Sequence, residues 1–184
     1  IPNIMDVPTR PRSRPEDATL FVEYPILKHK RIVVSLGRLN YIKGLDQLLK
    51  SWNMVVKVVP DAHLVIAGPD SDGYIELLKR IVQVEDIGNS VSFIGTVTGD
   101  RKSELFNISE VFVSSSYLES FGMAIVEAMA HGLPVAITNK VNIKSEIREA
   151  EAGLISSCDP SSIANNLNYL LENKDMANQM GLRG

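Results

Sequence analysis

Cysteine is almost absent from this sequence, since Cys158 is the only one among 184 residues. A lone cysteine excludes a disulfide within the chain and a zinc site built on several cysteines. No apolar run approaches the roughly 20 residues of a membrane-spanning helix. The formal net charge is only −3, which argues against a bulk basic surface for nucleic acid. What is present is 45% apolar residues, enough for one compact domain with a sizeable core.

Prolines are concentrated in residues 1–30, which differ from the rest of the chain. They are Pro2, Pro8, Pro11, Pro15 and Pro25. Prolines at this density oppose regular helices and central strands. We therefore predict an extended interdomain linker or edge segment over 1–30, with the stretch "TLFVEYPIL" packing on a domain that covers 31–184.

Short apolar runs alternate with amphipathic segments from Arg31 onward. The runs are "RIVVSLG", "AHLVIAGP", "VSFIG", "EVFVSSS", "PVAIT" and "GLISS". All-apolar strands joined by helices predict an α/β fold, with a doubly wound, Rossmann-like parallel sheet that has helices on both faces. Ligands of such sheets bind at the carboxyl ends of the strands, where the crossover direction switches. The loops after Leu36, Ala67, Ile94, Ser115 and Ile137 are therefore the candidate ligand loops.

The first candidate loop is "GRLNYIKG", residues 37–44, between the first strand and a helix. Gly37 and Gly44 allow a tight turn and a close approach to a ligand. Arg38 and Lys43 are two cations that suit a diphosphate, although they are equally compatible with solvated loop charges. The sequence contains neither G-x-G-x-x-G nor G-x-x-x-x-G-K-[ST], so the common dinucleotide and P-loop signatures are missing.

The second candidate is "ESFGMAIVEAMAHG", residues 119–132, which follows the fourth strand. Free N–H groups at the start of a helix near Gly122 would attract anions and polar oxygens. A carboxylate such as Glu119 or Glu127 can accept hydrogen bonds from two neighbouring hydroxyls of a ribose or a sugar. Glu127 has apolar neighbours, so it lies either on an exposed stripe or at a ligand, and periodicity does not separate the two. His131, in the last turn, is expected to serve the helix dipole rather than catalysis.

The third candidate is "FIGTVTGD", residues 93–100, a glycine-containing loop after the third strand. Its main-chain groups could hold a nucleobase, or it could be an ordinary turn.

Together and in this order, the motifs resemble a known family. "SLGRLNYIKGLDQLL", "LVIAGP", "VSFIGTV" and "ESFGMAIVEAMAHGLPV" are similar to the C-terminal, donor-binding domain of retaining glycosyltransferases with the GT-B fold, of the group 1 or family 4 type. "IPN" at residues 1–3 also resembles the family's interdomain linker, although Ile4 replaces the usual glycine. The resemblance covers about residues 31–184.

The resemblance implies roles for matching positions. Arg38 and Lys43 would bind the donor diphosphate, Glu127 the ribose hydroxyls, and Glu119 the hydroxyls of the transferred sugar. The remaining predicted donor contacts come from the three loops and are Gly37, Ile94, Thr96, Val97, Ser120, Phe121, Gly122 and Met123. The co-substrate would be a nucleotide-diphosphate sugar, most often a UDP- or GDP-sugar, with no cofactor and no metal.

The resemblance also implies partners outside this chain. An N-terminal domain would carry most contacts to a glycan, lipid or small-molecule acceptor, and a closing C-terminal helix would complete the fold. The enzyme would be cytoplasmic, with the missing domain as its route to the inner face of a membrane, and this chain alone would be inactive. Two alternatives remain: a non-hydrolysing sugar-nucleotide epimerase and a catalytically silent nucleotide-binding module. The Glu119-to-Glu127 motif argues against the first, and the intact charged residues argue against the second.

Overall fold

Residues 17–70 and 72–184 are described in a computed structural model of the chain. The predictions for residues 1–16, including the resemblance at residues 1–3, lie outside the described residues.

In residues 17–70 and 72–184, six parallel strands form one sheet, as the alternating pattern predicts. They are β1 (Arg31–Leu36), β2 (Ala62–Ala67), β3 (Val91–Gly95), β4 (Val111–Ser114), β5 (Val135–Thr138) and β6 (Gly153–Ser156). Their order across the sheet is β3-β2-β1-β4-β5-β6, and every neighbouring pair is parallel. The chain builds outward from β1 to β3 and then returns to place β4 beside β1. The crossover direction therefore switches between β1 and β4.

Eight helices cover the two faces of this sheet in the described residues. They are α1 (Thr19–Glu23), α2 (Leu45–Val58), α3 (Tyr74–Val84), α4 (Gly99–Ile108), α5 (Met123–Ala130), α6 (Lys144–Glu149), α7 (Pro160–Glu172) and α8 (Lys174–Arg183). Buried residues of α2, α3, α7 and α8 form one core cluster, and those of α1, α4, α5 and α6 form the other. The doubly wound prediction is thereby confirmed.

Alternation along each strand divides the side chains between the two cores. In β1, Val33 belongs to the core of α2, whereas Ile32 and Val34 belong to the core of α4. All three side chains are fully buried. Successive strand residues point to opposite faces, and both faces are covered, which explains why these strands are continuously apolar.

The local signals for helix ends are also confirmed. Val59 caps the C-terminus of α2 immediately before Pro60, which could not continue the helix hydrogen bonds. Asp159 is the N-cap of α7, and its carboxylate accepts a 3.1 Å hydrogen bond from the Ser162 N–H. Pro160 occupies the first helical position, where its missing N–H costs nothing.

The prediction of an extended segment before β1 is wrong for part of its length. Residues 19–23 form helix α1, and Pro25–Leu27 form a 3₁₀ turn. The prolines flank α1 instead of interrupting it, so a single turn fits between them. Leu20, Phe21 and Leu27 are buried in the core on the α4 face. "TLFVEYPIL" packs on the domain as expected, but in helical form.

His63 is the buried imidazole of strand β2. Its side chain is fully enclosed, and Nε2 lies 2.8 Å from Ser92 Oγ on β3. Burial, with a smaller contribution from the positive charge of Lys30, lowers the pKa of His63 to about 4. The imidazole is therefore neutral in the folded protein near pH 7 and serves the sheet rather than catalysis.

This depressed pKa predicts that acid weakens the fold before the carboxylates titrate. Between pH 6.5 and 4 the unfolded chain binds a proton at His63 and the folded chain does not, so stability is lost as the pH falls. The loss from pH 7 to pH 5 is about 2 kcal/mol. Denaturant unfolding should show this slope, and His63→Gln should flatten it. His29→Gln is the matched control, because it makes the same substitution at an exposed position. An equal slope in wild type and His63→Gln would contradict the assignment.

Candidate functional site

A cavity of about 430 Å³ opens at the carboxyl ends of β1 and β4, where the crossover direction switches. Its volume is in the range of small-molecule sites. Eight of the residues predicted from the sequence line it: Gly37, Arg38, Lys43, Glu119, Ser120, Phe121, Gly122 and Met123. The first two candidate loops, about 80 residues apart in sequence, therefore form one site.

The loop from β1 to α2 is held against the loop from β4 to α5. The Ser115 hydroxyl donates a 2.9 Å hydrogen bond to the Lys43 carbonyl, and the Tyr117 N–H donates one of 2.8 Å to the Ile42 carbonyl. The Tyr117 hydroxyl donates to Asp46 on α2 at 3.0 Å. Burial and this hydrogen bond raise the pKa of Tyr117 to about 12, so the phenol remains a donor at neutral pH. The backbone on both sides of the cavity is thus fixed.

Gly44 allows this close approach. It has φ of 58° and caps the N-terminus of α2. A Cβ at this position would lie 2.2 Å from the Ser115 carbonyl oxygen. Both the left-handed backbone and the contact therefore require glycine here, which explains why the cation Lys43 precedes a glycine.

The N-terminus of α5 opens on the cavity. Gly122 caps the helix with φ of 74°, and Met123 and Ala124 line the cavity wall. The N–H groups of Gly122, Met123 and Ala124 have no acceptor in the part of the chain that the structure describes. Unpaired N–H groups at the positive end of a helix can bind an anion, as the sequence predicts.

Glu119 and Lys43 contact each other directly across the cavity. The Lys43 ammonium donates to the Glu119 carboxylate in an ion pair. The Glu119 backbone is bonded on both sides to the loop after β5, through Lys140 O at 3.2 Å and Asn142 N at 3.0 Å. Arg38, by contrast, is exposed and has no hydrogen bond or ion pair with any described residue. Lys43 is thus already paired with a carboxylate, whereas Arg38 is available to a ligand.

Glu127 is half-buried and lies outside the cavity wall. Its carboxylate accepts a 2.7 Å hydrogen bond from the ammonium of Lys102, on α4. The sequence left open whether this carboxylate is on an exposed stripe or at a ligand. In the structure its charge is paired with that of Lys102. Lys102 was missed by sequence reasoning. Its one signal is its position in the first turn of the helix that follows the third candidate loop.

The third candidate loop is not part of the cavity wall. The side chains of Ile94 and Val97 are buried in the core, whereas Thr96 is exposed. Of the three predicted contacts in this loop, only Thr96 could therefore meet a ligand with its side chain, whereas Ile94 and Val97 could do so only through main-chain groups. The Gly95 carbonyl is already engaged by the Gly68 N–H at 2.8 Å.

The side chains of His131 and Cys158 each lie against a backbone carbonyl oxygen. His131 caps the C-terminus of α5, where Nδ1 donates a 2.8 Å hydrogen bond to the Glu127 carbonyl oxygen. Its ring centroid lies 5.0 Å from that of Phe106. The Cys158 thiol is 3.8 Å from the Ser116 carbonyl oxygen. The contacts of His131 match its predicted role at the end of the helix.

Within residues 17–70 and 72–184, no group of three or more His, Cys, Asp or Glu side chains could hold a metal ion. The described helices also include none that is long and apolar enough to cross a membrane. Independence from metal stays a prediction.

Residues 17–184 match the family model of the glycosyl transferases group 1, and the chain belongs to this family. It is 32% identical over 154 residues to a glycosyltransferase of Haemophilus influenzae, covering 82% of this chain and 42% of that protein. It is 27% identical over 179 residues to the D-inositol 3-phosphate glycosyltransferase of Nocardia farcinica, covering 94% of this chain and 40% of that protein. The chain thus spans less than half the length of these curated relatives.

Solved structures share the fold. HepE from Anabaena, crystallised with UDP and glucose, superposes with a TM-score of 0.82 at 20% identity, covering 93% of this chain and 46% of HepE. The C-terminal domain of the group 1 glycosyl transferase LpcC from Francisella tularensis has a TM-score of 0.79 at 18% identity, with 94% of this chain and 90% of that domain covered. The chain therefore has the fold of the C-terminal domain of GT-B glycosyltransferases, as the motifs predicted.

The close contact at Gly44 predicts that alanine destabilises the fold more at this position than at Gly73. Gly44→Ala should lower the free energy of unfolding by about 2–4 kcal/mol, because the added Cβ meets a backbone carbonyl in addition to left-handed strain. Gly73 is the matched control, since it caps α3 with φ of 69° and its Cβ would meet nothing within 4 Å. Gly73→Ala should cost about 1 kcal/mol from strain alone. Urea unfolding measures both, and equal losses would contradict the packing argument.

Proposed function

We propose that the protein containing this chain transfers a sugar from a nucleotide-diphosphate sugar to an acceptor with retention of configuration, and that this chain binds the donor. The observation that carries the proposal is the cavity at the switch between β1 and β4. There, two cations, an uncapped helix N-terminus and a carboxylate converge. The solved complex of HepE with UDP and glucose supports a nucleotide-sugar donor, and UDP- and GDP-sugars are the first candidates.

Each part of the donor has a counterpart in this arrangement. The diphosphate is bound by Arg38, Lys43 and the N–H groups at the start of α5. The transferred sugar lies against Glu119, which accepts hydrogen bonds from its hydroxyls. Glu127, outside the cavity wall, accepts the ribose hydroxyls, and main-chain groups near Thr96 meet the base.

The chemistry follows from where charge develops. When the bond from the sugar to the diphosphate breaks, negative charge grows on the leaving diphosphate oxygen. Two cations and a helix N-terminus stabilise that charge more strongly in the transition state than in the bound donor. This stabilisation needs no metal. The acceptor, which is a glycan, a lipid or a small molecule, is held by a domain outside this chain.

The diphosphate assignment is tested by removing its cations in the full-length protein. Arg38→Ala and Lys43→Ala should each lower kcat/KM for sugar transfer about 100-fold or more, because each removes charge from the leaving group. Turnover of radiolabelled UDP- and GDP-sugars is the measurement. Exposed cations of the same type serve as controls, and Arg80→Ala and Lys50→Ala should leave the rate unchanged. Normal kinetics in both site variants, with unchanged melting temperatures, would refute the assignment.

The nucleoside assignment is tested by comparing two ligands. Glu127→Ala should weaken binding of a nucleoside diphosphate by about tenfold or more, since hydrogen bonds to a charged group are lost, and leave inorganic pyrophosphate unaffected. Glu146→Ala, at an exposed position on α6, is the control. Unchanged nucleoside diphosphate affinity in Glu127→Ala would exclude the ribose role.

A further inference from the structure

The ion pair between Lys43 and Glu119 joins two residues that the proposed function assigns to different parts of the donor. Both line the cavity, and their side chains are only 28% and 17% exposed. A pair this shielded is less weakened by solvent and salt than an exposed surface pair. A ligand that enters the cavity therefore meets an ion pair rather than two free charges.

In this pair the ammonium and the carboxylate bind each other, so each is less able to bind a ligand. Glu119 is the one partner of the Lys43 ammonium among the described side chains. The carboxylate oxygen that accepts from Lys43 would have to bind a sugar hydroxyl in the proposed donor complex. A carboxylate that retains a lysine has less capacity for hydroxyls, and a lysine that retains a carboxylate has less for phosphate.

The cavity also contains what a diphosphate needs to compete for Lys43. Arg38 has no partner in the described part of the chain, and the first N–H groups of α5 are unpaired. A diphosphate bound by these groups carries more negative charge than the Glu119 carboxylate. It therefore offers the Lys43 ammonium a more highly charged partner within the same cavity.

The exchange requires movement of side chains only. The Glu119 backbone is fixed by Lys140 and Asn142, and the backbone at Lys43 is fixed by Ser115. Gly37 lacks a Cβ that would lie 3.6 Å from Lys43 Cε, and Gly122 lacks one that would lie 3.2 Å from Glu119 Cγ. These glycines leave space beside both side chains.

We propose that Glu119 is an internal competitor of the diphosphate for Lys43. Arrival of the diphosphate moves the ammonium from the carboxylate to phosphate oxygens, and this frees Glu119 to accept sugar hydroxyls. Binding of the two halves of the donor is thereby coupled through one lysine. This inference rests on the proposed function, since it assumes that the cavity binds a diphosphate.

Inorganic pyrophosphate is the probe, because it contains neither sugar nor base. Binding to the 184-residue chain is followed by NMR titration of backbone amides, which detects millimolar dissociation constants. The described residues contain both cores, and the LpcC C-terminal domain of similar extent has been crystallised alone. Four proteins form a double-mutant cycle: wild type, Glu119→Gln, Lys43→Met and the double variant. Ionic strength is held constant, and melting temperatures verify the fold.

The expected pattern is specific to competition. Lys43→Met weakens pyrophosphate binding about tenfold, and Glu119→Gln tightens it about fivefold because Lys43 is released. With Lys43→Met already present, Glu119→Gln changes the affinity by less than about twofold. Glu110→Gln is the matched control, since this half-buried carboxylate is paired with Arg31 and is not part of the cavity wall, so it should have no effect.

Two other patterns would overturn the inference in distinguishable ways. If Glu119→Gln tightens binding equally with and without Lys43, the carboxylate acts by general repulsion, and competition for Lys43 is refuted while the diphosphate site stands. If Glu119→Gln weakens or does not change binding, the pair is structural and the inference also fails. If none of the four proteins binds pyrophosphate, the proposed function fails with it.

Discussion

The neighbouring positions of β1 and β4 are the constraint on which the rest of this site depends. The chain leaves β1, forms β2 and β3 on one side, and returns to place β4 on the other. The loops that follow these two strands therefore diverge at the sheet edge and leave a cavity between them. The contact of Gly44 with the Ser115 carbonyl then fixes the distance between the loops. Both α2 and α5 begin at this edge, so their N-termini face the same space.

Both carboxylates of this region are paired with lysines before any ligand arrives. Two carboxylates, Glu119 and Glu127, each pair with a lysine from a different element, and Arg38 is left without a partner in the described residues. Pairing stabilises half-buried charges that would otherwise lose their hydration. It also means that a ligand must exchange partners with these residues rather than bind to free charges. The affinity of such a site for a ligand depends on a difference in free energy, between the ion pairs formed with the ligand and the ion pairs lost within the protein.

The rigid two-sided core supplies the precision that this exchange needs. Strand residues are divided between two covered faces, and the N-terminal segment adds Leu20 and Leu27 to one of them. Closely packed interiors resist displacement, so the loop backbones at the sheet edge stay in place while side chains rotate. The family membership and the fold fit this picture of one domain as a stable platform.

The sequence by itself determined the elements, the parallel sheet and the loops that form the cavity. Apolar periodicity, glycines and prolines are local signals, and a run such as "RIVVSLG" is a buried strand in any such sheet. Three features were decided by tertiary structure alone: helix α1, the pairing of Lys43 with Glu119, and the pairing of Lys102 with Glu127. The two pairings join residues 76 and 25 positions apart. No local pattern encodes such a contact, because it exists only once the strand order has brought distant segments together. Burial of the Val97 side chain was likewise set by packing, since this loop residue enters the same core cluster as the buried residues of α4.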